Sequence, residues 1–151
     1  MKIIIKQASI QDMETLLGFN LNMALETEDL VLPYEKLRPG IEATLTDENK
    51  GIYYVALVNN QIAGSLMITR EWSDWRNSWV AWIQSVYVKK EYRRQGVYSA
   101  LYQHIKDKVI SGEFAGIRLY VDISNHNARK TYSALGMNGE HYSLFEWMKD
   151  Y

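Results

Sequence analysis

Between Val86 and Val109 the chain changes period, from a run suited to a strand to one suited to a helix, through a basic turn with a single glycine. Val86-Tyr87-Val88 reads as a strand end, and Lys89-Lys90-Glu91-Tyr92-Arg93-Arg94-Gln95-Gly96 as the turn. From Val97 apolar residues recur at Leu101, Ile105 and Val109, with Ala100 and His104 widening the stripe, so an amphipathic helix follows. A strand feeding a helix this way brings backbone N–H groups and a helix N-terminus to one spot, which suits a pyrophosphate. Lys89, Lys90, Arg93 and Arg94 stand against Glu91 alone and add positive potential there. An ordinary connection with solvated charges has the same local look, so the remainder of the chain has to decide.

The flanking segments supply an order of elements. Lys2 to Ala8 reads as a strand, and Ser9 with Asp12 as a capping-box-like start for a helix over Gln11–Ala24 that carries Leu16, Leu17, Leu21 and Met23. Glu26-Thr27-Glu28-Asp29 reads as an acidic connection, and a second helix is expected to begin near Pro39, since proline is tolerated in a first helical turn. Ile52–Val58 and Gln61–Arg70 form a predicted hairpin about Asn59-Asn60, because Asn accepts positive φ. A polar loop over Glu71–Ser78 holds Trp72 and Trp75, and Trp79–Val88 is the strand before the basic turn. A strand over Ile117–Asp122, a short helix over Ala128–Leu135 and a last strand over Ser143–Met148 complete the order β-α-α-β-β-β-α-β-α-β. That is a mixed α/β domain, expected to be single over residues 1–151 and large enough for its own core.

Composition removes whole classes of function. With 47% apolar and 23% charged residues and a net charge of −1, general affinity for nucleic acid is not expected. The absence of cysteine excludes a thiol nucleophile, a thiolate metal site and disulfides, and fits a reducing compartment. No run approaches the ~20 apolar residues of a membrane span, so the expectation is a soluble, cytoplasmic protein without nucleic-acid or membrane partners. No spacing suits a metal site, and neither G-x-x-x-x-G-K-[ST] nor G-x-G-x-x-G nor G-x-S-x-G occurs.

Two segments together carry a resemblance. Arg93-Arg94-Gln95-Gly96-Val97-Tyr98 resembles the Q/R-x-x-G-x-G/A acetyl-CoA loop of the GNAT (GCN5-related) N-acetyltransferase superfamily, with Tyr98 where Gly or Ala is usual. Asn125, Ala128, Tyr132 and Gly136 match the family's N-x-x-A-x-x-x-Y-x-x-x-G-F block, with Met137 in place of Phe. The resemblance spans essentially the whole chain. It implies the GNAT fold, a mixed central sheet of six to seven strands flanked by about four helices. It implies acetyl-CoA as co-substrate, held by the main chain of Val86, Tyr87 and Val88, by the turn Arg93, Arg94, Gln95, Gly96, Val97, Tyr98 and Ser99, and by Asn125. Tyr132 would be the general acid that protonates the departing thiolate, since a phenol of pKa ~10 keeps its proton at neutral pH.

The implied reaction is direct attack of a primary amine of a small molecule or peptide on acetyl-CoA. Such an amine, with a pKa of ~10.4, has to lose a proton first, and Glu28, Glu71, Asp122 and His126 are the titratable candidates to take it. Gln84 stands in the strand where many family members place a glutamate, and cannot accept a proton. For the acceptor, Glu28, Trp72, Trp75 and Gln84 are the candidates, the family building that site largely from the variable region after its first helix. His104 reads as a packed histidine rather than a ligand. A homodimer is the family's common assembly. A non-catalytic acyl-CoA-binding module on the same fold is the alternative function.

Overall fold

Asn59 and Asn60 both adopt left-handed backbone (φ 51° and 63°), the conformation that a two-residue hairpin turn demands. They join β2 (Ile52–Val58) to β3 (Gln61–Ser73), and this hairpin is the centre of the sheet. The computed structural model describes residues 1–150; Tyr151, the last residue of the expected domain, lies outside them. The chain divides into two units, Met1–Leu119 and the segment from Tyr120 onward.

The first unit is built on a five-stranded sheet in the order β1-β2-β3-β4-β5. β1 (Ile3–Gln7) lies antiparallel to β2, β3 antiparallel to β4 (Ser78–Val88), and β5 (Gly116–Arg118) parallel to β4. Successive residues of a strand face opposite sides of a sheet, and Tyr53 and Tyr54 illustrate it. Tyr53 joins Ala8, Leu16, Leu17, Ile41 and Val55 in a core beneath α1 (Met13–Glu28) and α2 (Tyr34–Thr46). Tyr54 turns to the other face and meets the His104 ring of α3 (Val97–Ile110) at 4.8 Å. Of the predicted stripe of α3, Val97, Leu101 and Ile105 are fully buried, while Val109 near its end is half-buried. His104 is therefore a packed histidine, as its position on the stripe suggests.

Several expected boundaries move. α1 runs a full turn past Ala24 to Glu28, so the acidic segment is mostly helix rather than connection; Asp29 ends it in left-handed backbone (φ 51°). α2 starts at Tyr34 behind Pro33, and Pro39 lies within it. Either proline suits a helix start, and the main-chain bonds from Lys36 and Leu37 to the Pro33 carbonyl show which was used. The loop between β3 and β4 shrinks to residues 74–77, placing Trp72 on β3 opposite Trp79.

The second unit contains α4 (His126–Ala134). Asn125 caps it by accepting the Ala128 N–H at 3.1 Å. At its other end Met137 N–H bonds the Tyr132 carbonyl and Gly136 N–H the Ser133 carbonyl, with Gly136 at φ 88°, a Schellman close that only glycine makes without cost. Two expected strands differ from the observation. β5 is limited to three residues instead of Ile117–Asp122, and Ser143–Met148 forms no strand. The sheet thus has five strands rather than six or seven. An alternating apolar pattern becomes a strand only where a ladder partner satisfies its backbone.

Candidate functional site

The basic turn has the geometry its sequence suggests. Arg94 and Gly96 are both left-handed (φ 62° and 83°), so the chain reverses twice before α3 begins at Val97. Gly96, at the helix N-cap, supplies no side-chain cap, and the first amides of a helix have no acceptor within it. The N–H groups of Val97, Tyr98 and Ser99 therefore gather at one end of α3, where the helix dipole favours an anion. A Cβ placed on Gly96 would meet nothing within 4 Å, so the space over the turn is open. Gln95 steadies the turn by donating to the Glu91 carbonyl at 2.8 Å. The Tyr98 ring lies along α3 beside Tyr102, centroids 6.3 Å apart.

Where β4 leads into this turn, no strand pairs its outer edge beyond Trp82 among the described residues. Its ladder with β5 covers only Val80, Ala81 and Trp82. Further on, Lys89 N–H bonds back to Ala63 of β3 at 2.9 Å, so the Val88 carbonyl, in the same peptide unit, points away from β3. Residues two apart on a strand aim their main-chain groups alike, so Val86 and Val88 both present theirs to the open side, with Tyr87 directed at β3. An extra residue on β4 precedes this stretch: Ser65 pairs with Tyr87, but Met67 pairs with Gln84.

Arg93 fastens the turn. Its Nε donates to the Val88 carbonyl at 2.9 Å, its Nη2 donates to Glu26 Oε2 at 2.7 Å, and its guanidinium carbon lies 5.4 Å from the Tyr87 ring centroid. Lys90 Nζ stands 3.7 Å from the same carboxylate, and the Tyr87 hydroxyl donates to it at 3.4 Å. Phe19 of α1 packs on Tyr87 with ring centroids 4.9 Å apart. These groups border a cleft of about 390 Å³ lined by Phe19, Asn22, Leu25, Glu26, Tyr87 and Lys90, among others. Sequence reading singled out Glu28 and passed over Glu26. An acid in the last turn of a helix opposes the helix dipole, and here the two cations of the turn offset that. No local pattern announces this pair, because its members are 67 positions apart.

Partial burial would raise the Glu26 carboxyl, but the Arg93 hydrogen bond and charge, with Lys90 and the Tyr87 hydroxyl, hold it below its ordinary value of 4.5. Burial, and then the Glu26 charge, push the Tyr87 phenol up, so it stays protonated and able to donate. A carboxylate with a depressed folded pKa adds stability above its unfolded value, and that contribution is lost as pH falls through the folded value. Glu26→Gln should accordingly lower the melting temperature at pH 7. The gap from the unsubstituted protein should narrow as pH falls from about 4.5 toward 3; a gap independent of pH would show that the ion pair contributes nothing.

The remaining candidates are dispersed. Gln84 donates to the Thr69 hydroxyl at 3.1 Å on the neighbouring strand. Trp72 meets Trp79 edge to face at 5.1 Å, and the Arg70 guanidinium lies over the Trp79 ring. Trp75 is 90% exposed at the hairpin tip. That tip is roughly 30 Å along β4 from the basic turn at ~3.3 Å per residue, so these tryptophans are not brought to the turn. Glu71 is ion-paired with Arg118, and Glu28 is exposed at the end of α1. In the second unit, Asp122 accepts from the Ser124 main chain and hydroxyl at 2.8 and 2.5 Å. His126 is the first residue of α4, and Tyr132 is half-buried on that helix. No cluster of His, Asp and Glu suited to a metal exists among the described residues, and none of their helices is long and apolar enough to cross a membrane.

Residues 20–137 match the sequence profile of the Acetyltransferase (GNAT) family. Among solved structures, that of a possible acetyltransferase from Clostridium difficile 630 is 43% identical, is covered over 98% of both chains, and superposes with a TM-score of 0.90. A ribosomal-protein-alanine N-acetyltransferase from Brucella melitensis biovar Abortus 2308 superposes with a TM-score of 0.78 at 16% identity, over 97% of this chain and 99% of that one. An aminoglycoside acetyltransferase from an uncultured soil metagenomic sample, in complex with sisomicin, gives 0.75 at 18% identity, over 97% and 95%. At these lower identities the likeness is one of fold alone. No curated protein matches the chain.

Proposed function

Since this chain belongs to the acetyltransferase (GNAT) family, we propose that it moves the acetyl group of acetyl-CoA to a primary amine by direct attack, both substrates being bound together. The observation that carries this reading is the doubly left-handed turn Arg94–Gly96, which sets the uncapped start of α3 beside the outer edge of β4. Anionic phosphates suit the amides of Val97, Tyr98 and Ser99, with Lys89, Lys90 and Arg94 supplying charge. The amides and carbonyls of an extended pantetheine suit the outward main-chain groups of Val86 and the Val88 amide, in the manner of an added strand, the Val88 carbonyl being taken by Arg93. Arg93 acts mainly by fixing the turn, its side chain being occupied by Val88 and Glu26.

In this reading the neutral amine attacks the thioester carbonyl, the C–S bond breaks, and the thiolate takes the proton of the Tyr132 hydroxyl. The proton lost by the amine leaves to solvent in this reading; Gln84 cannot hold it, and Glu71 is engaged by Arg118. Asn125 is committed through its side-chain oxygen to capping α4, which leaves its amide nitrogen to a cofactor contact. Structural neighbours whose names specify an acceptor include a ribosomal-protein-alanine and an aminoglycoside acetyltransferase, and an amine is what these acceptors have in common.

A thermal melt tests the cofactor site directly. At ~100 times Kd, acetyl-CoA should add about 2.7 kcal/mol of stability, a rise of roughly 5–10 °C for a chain of this size. Dephospho-CoA should give a smaller rise, because one phosphate is missing from a cationic turn. No rise at millimolar acetyl-CoA would sink the proposal. A full rise with no acyl transfer across a broad amine panel would instead favour a non-catalytic acyl-CoA-binding module.

A further inference from the structure

The hairpin of β3 and β4 is longer than the sheet that carries it. β2 pairs with β3 only from Gln61 to Ile68, whereas β3 pairs with β4 as far as Ser73. On the β4 side the projecting end is covered, since the Ala115 N–H donates to the Trp79 carbonyl at 2.8 Å and β5 follows. On the β3 side Arg70 Nη2 reaches Asn49 Oδ1 at 3.3 Å, and among the described residues no strand lies beside Glu71, Trp72 and Ser73. An edge left open in this way is a template for another strand, and soluble proteins ordinarily blunt it with charge or proline. Here the hairpin end carries tryptophan instead: Trp72 is 50% exposed, Trp75 90% and Trp79 38%. Aromatic area of that extent in water marks a contact surface.

The order of charges along the edge decides what fits it. Arg70, Trp72 and Asp74 are spaced two apart, so on an extended edge they share one face, and all three are exposed. A second copy of the edge, laid antiparallel about Trp72, sets residue 70 of each chain opposite residue 74 of the other and Trp72 opposite its own counterpart. Arg70 then meets Asp74 of the other copy, twice over by symmetry, with an aromatic pair between the two ion pairs. Glu71 stands opposite Ser73, so no like charges oppose each other. We propose that this edge of β3 is a self-complementary surface through which two copies of the chain associate about a two-fold axis. The surface is independent of the cofactor reading, since it lies roughly 30 Å along β4 from the basic turn.

Sedimentation velocity over a range of micromolar concentrations tests this, with circular dichroism to show that each variant is folded. The unsubstituted protein should sediment as a dimer. Asp74→Arg sets cation against cation at both ends of the contact, and Arg70→Asp sets acid against acid. Each should weaken association by more than about a hundredfold, because the repulsion occurs twice, and should leave monomers. Mixed in equal amounts, the two variants should associate again, since a mixed pair restores unlike charges at both facing positions. Should Arg70→Asp fold poorly, Asp74→Arg decides alone, its position being an exposed turn. An unsubstituted protein that stays monomeric, a folded single variant that still dimerises, or two folded variants that fail to associate on mixing would overturn the proposal.

Discussion

Tyr132→Phe should lower kcat by about 10² or more, within the ~10²–10⁴ that a positioned proton donor contributes, while the Kd for acetyl-CoA changes by less than about twofold. The basis is chemical. A thiol has a pKa near ~8.5 and a phenol near ~10, so in the proposed reaction Tyr132 would keep its proton until the C–S bond breaks and then give it to sulfur. Phe preserves the ring and removes the hydroxyl that carries that proton. The helix that carries Tyr132 is held at both ends, by the Asn125 cap and the Gly136 close, so the substitution should leave α4 intact. A split between kcat and cofactor affinity, read from steady-state kinetics and direct titration, is the signature of a group used in the transition state. Unchanged turnover would remove Tyr132 from the chemistry and leave its hydroxyl a structural one.

Gly64→Val should cost about 3 kcal/mol and lower the melting temperature by roughly 6–12 °C. Gly64 lies on β3 opposite Val88. A Cβ there would stand 2.8 Å from the Tyr87 carbonyl oxygen, 3.1 Å from Val97 Cγ1 and 3.2 Å from Val88 Cγ2. The nearest of these is main chain within the β3–β4 ladder and cannot rotate away. Relief would require parting the strands where β4 turns its edge outward, or lifting α3 off the sheet. Acetyl-CoA binding should weaken along with stability for that reason. Gly64→Ala should show the same effects in smaller measure, and chemical denaturation with cofactor titration measures both. A Gly64→Val protein as stable as the original would show that α3 tolerates a different seat on the sheet.

The degree to which this was readable in advance differs from feature to feature. The Asn59-Asn60 hairpin and the buried stripe of α3 each depend on residues within a few positions of one another, and the structure agrees with the reading. The basic turn was legible for the same reason, its glycine and cations being consecutive. Helix ends were less so: α1 continues through an acidic turn that local preference would exclude, because Arg93 and Lys90 stand beside Glu26. The strand expected over Ser143–Met148 is rich in apolar and aromatic residues but has no ladder partner, so composition alone did not make it. Trp72 and Trp75 were suggestive as aromatics in a loop, but β3 extends to Ser73 and carries them to the far end of the hairpin.

By itself, then, the order of residues determined the fold class, most of its elements and the two segments that mark the family, since these rest on periodicity, caps and turns, which are short-range physics. Only the tertiary structure decided that Glu26 clamps the basic turn, that a side chain on Gly64 would press on the Tyr87 carbonyl, and that β4 takes an extra, left-handed residue at Ser85 against β3. Each of these is a contact between residues distant in the chain. Its strength comes from burial and geometry that exist only after the sheet and helices have come together.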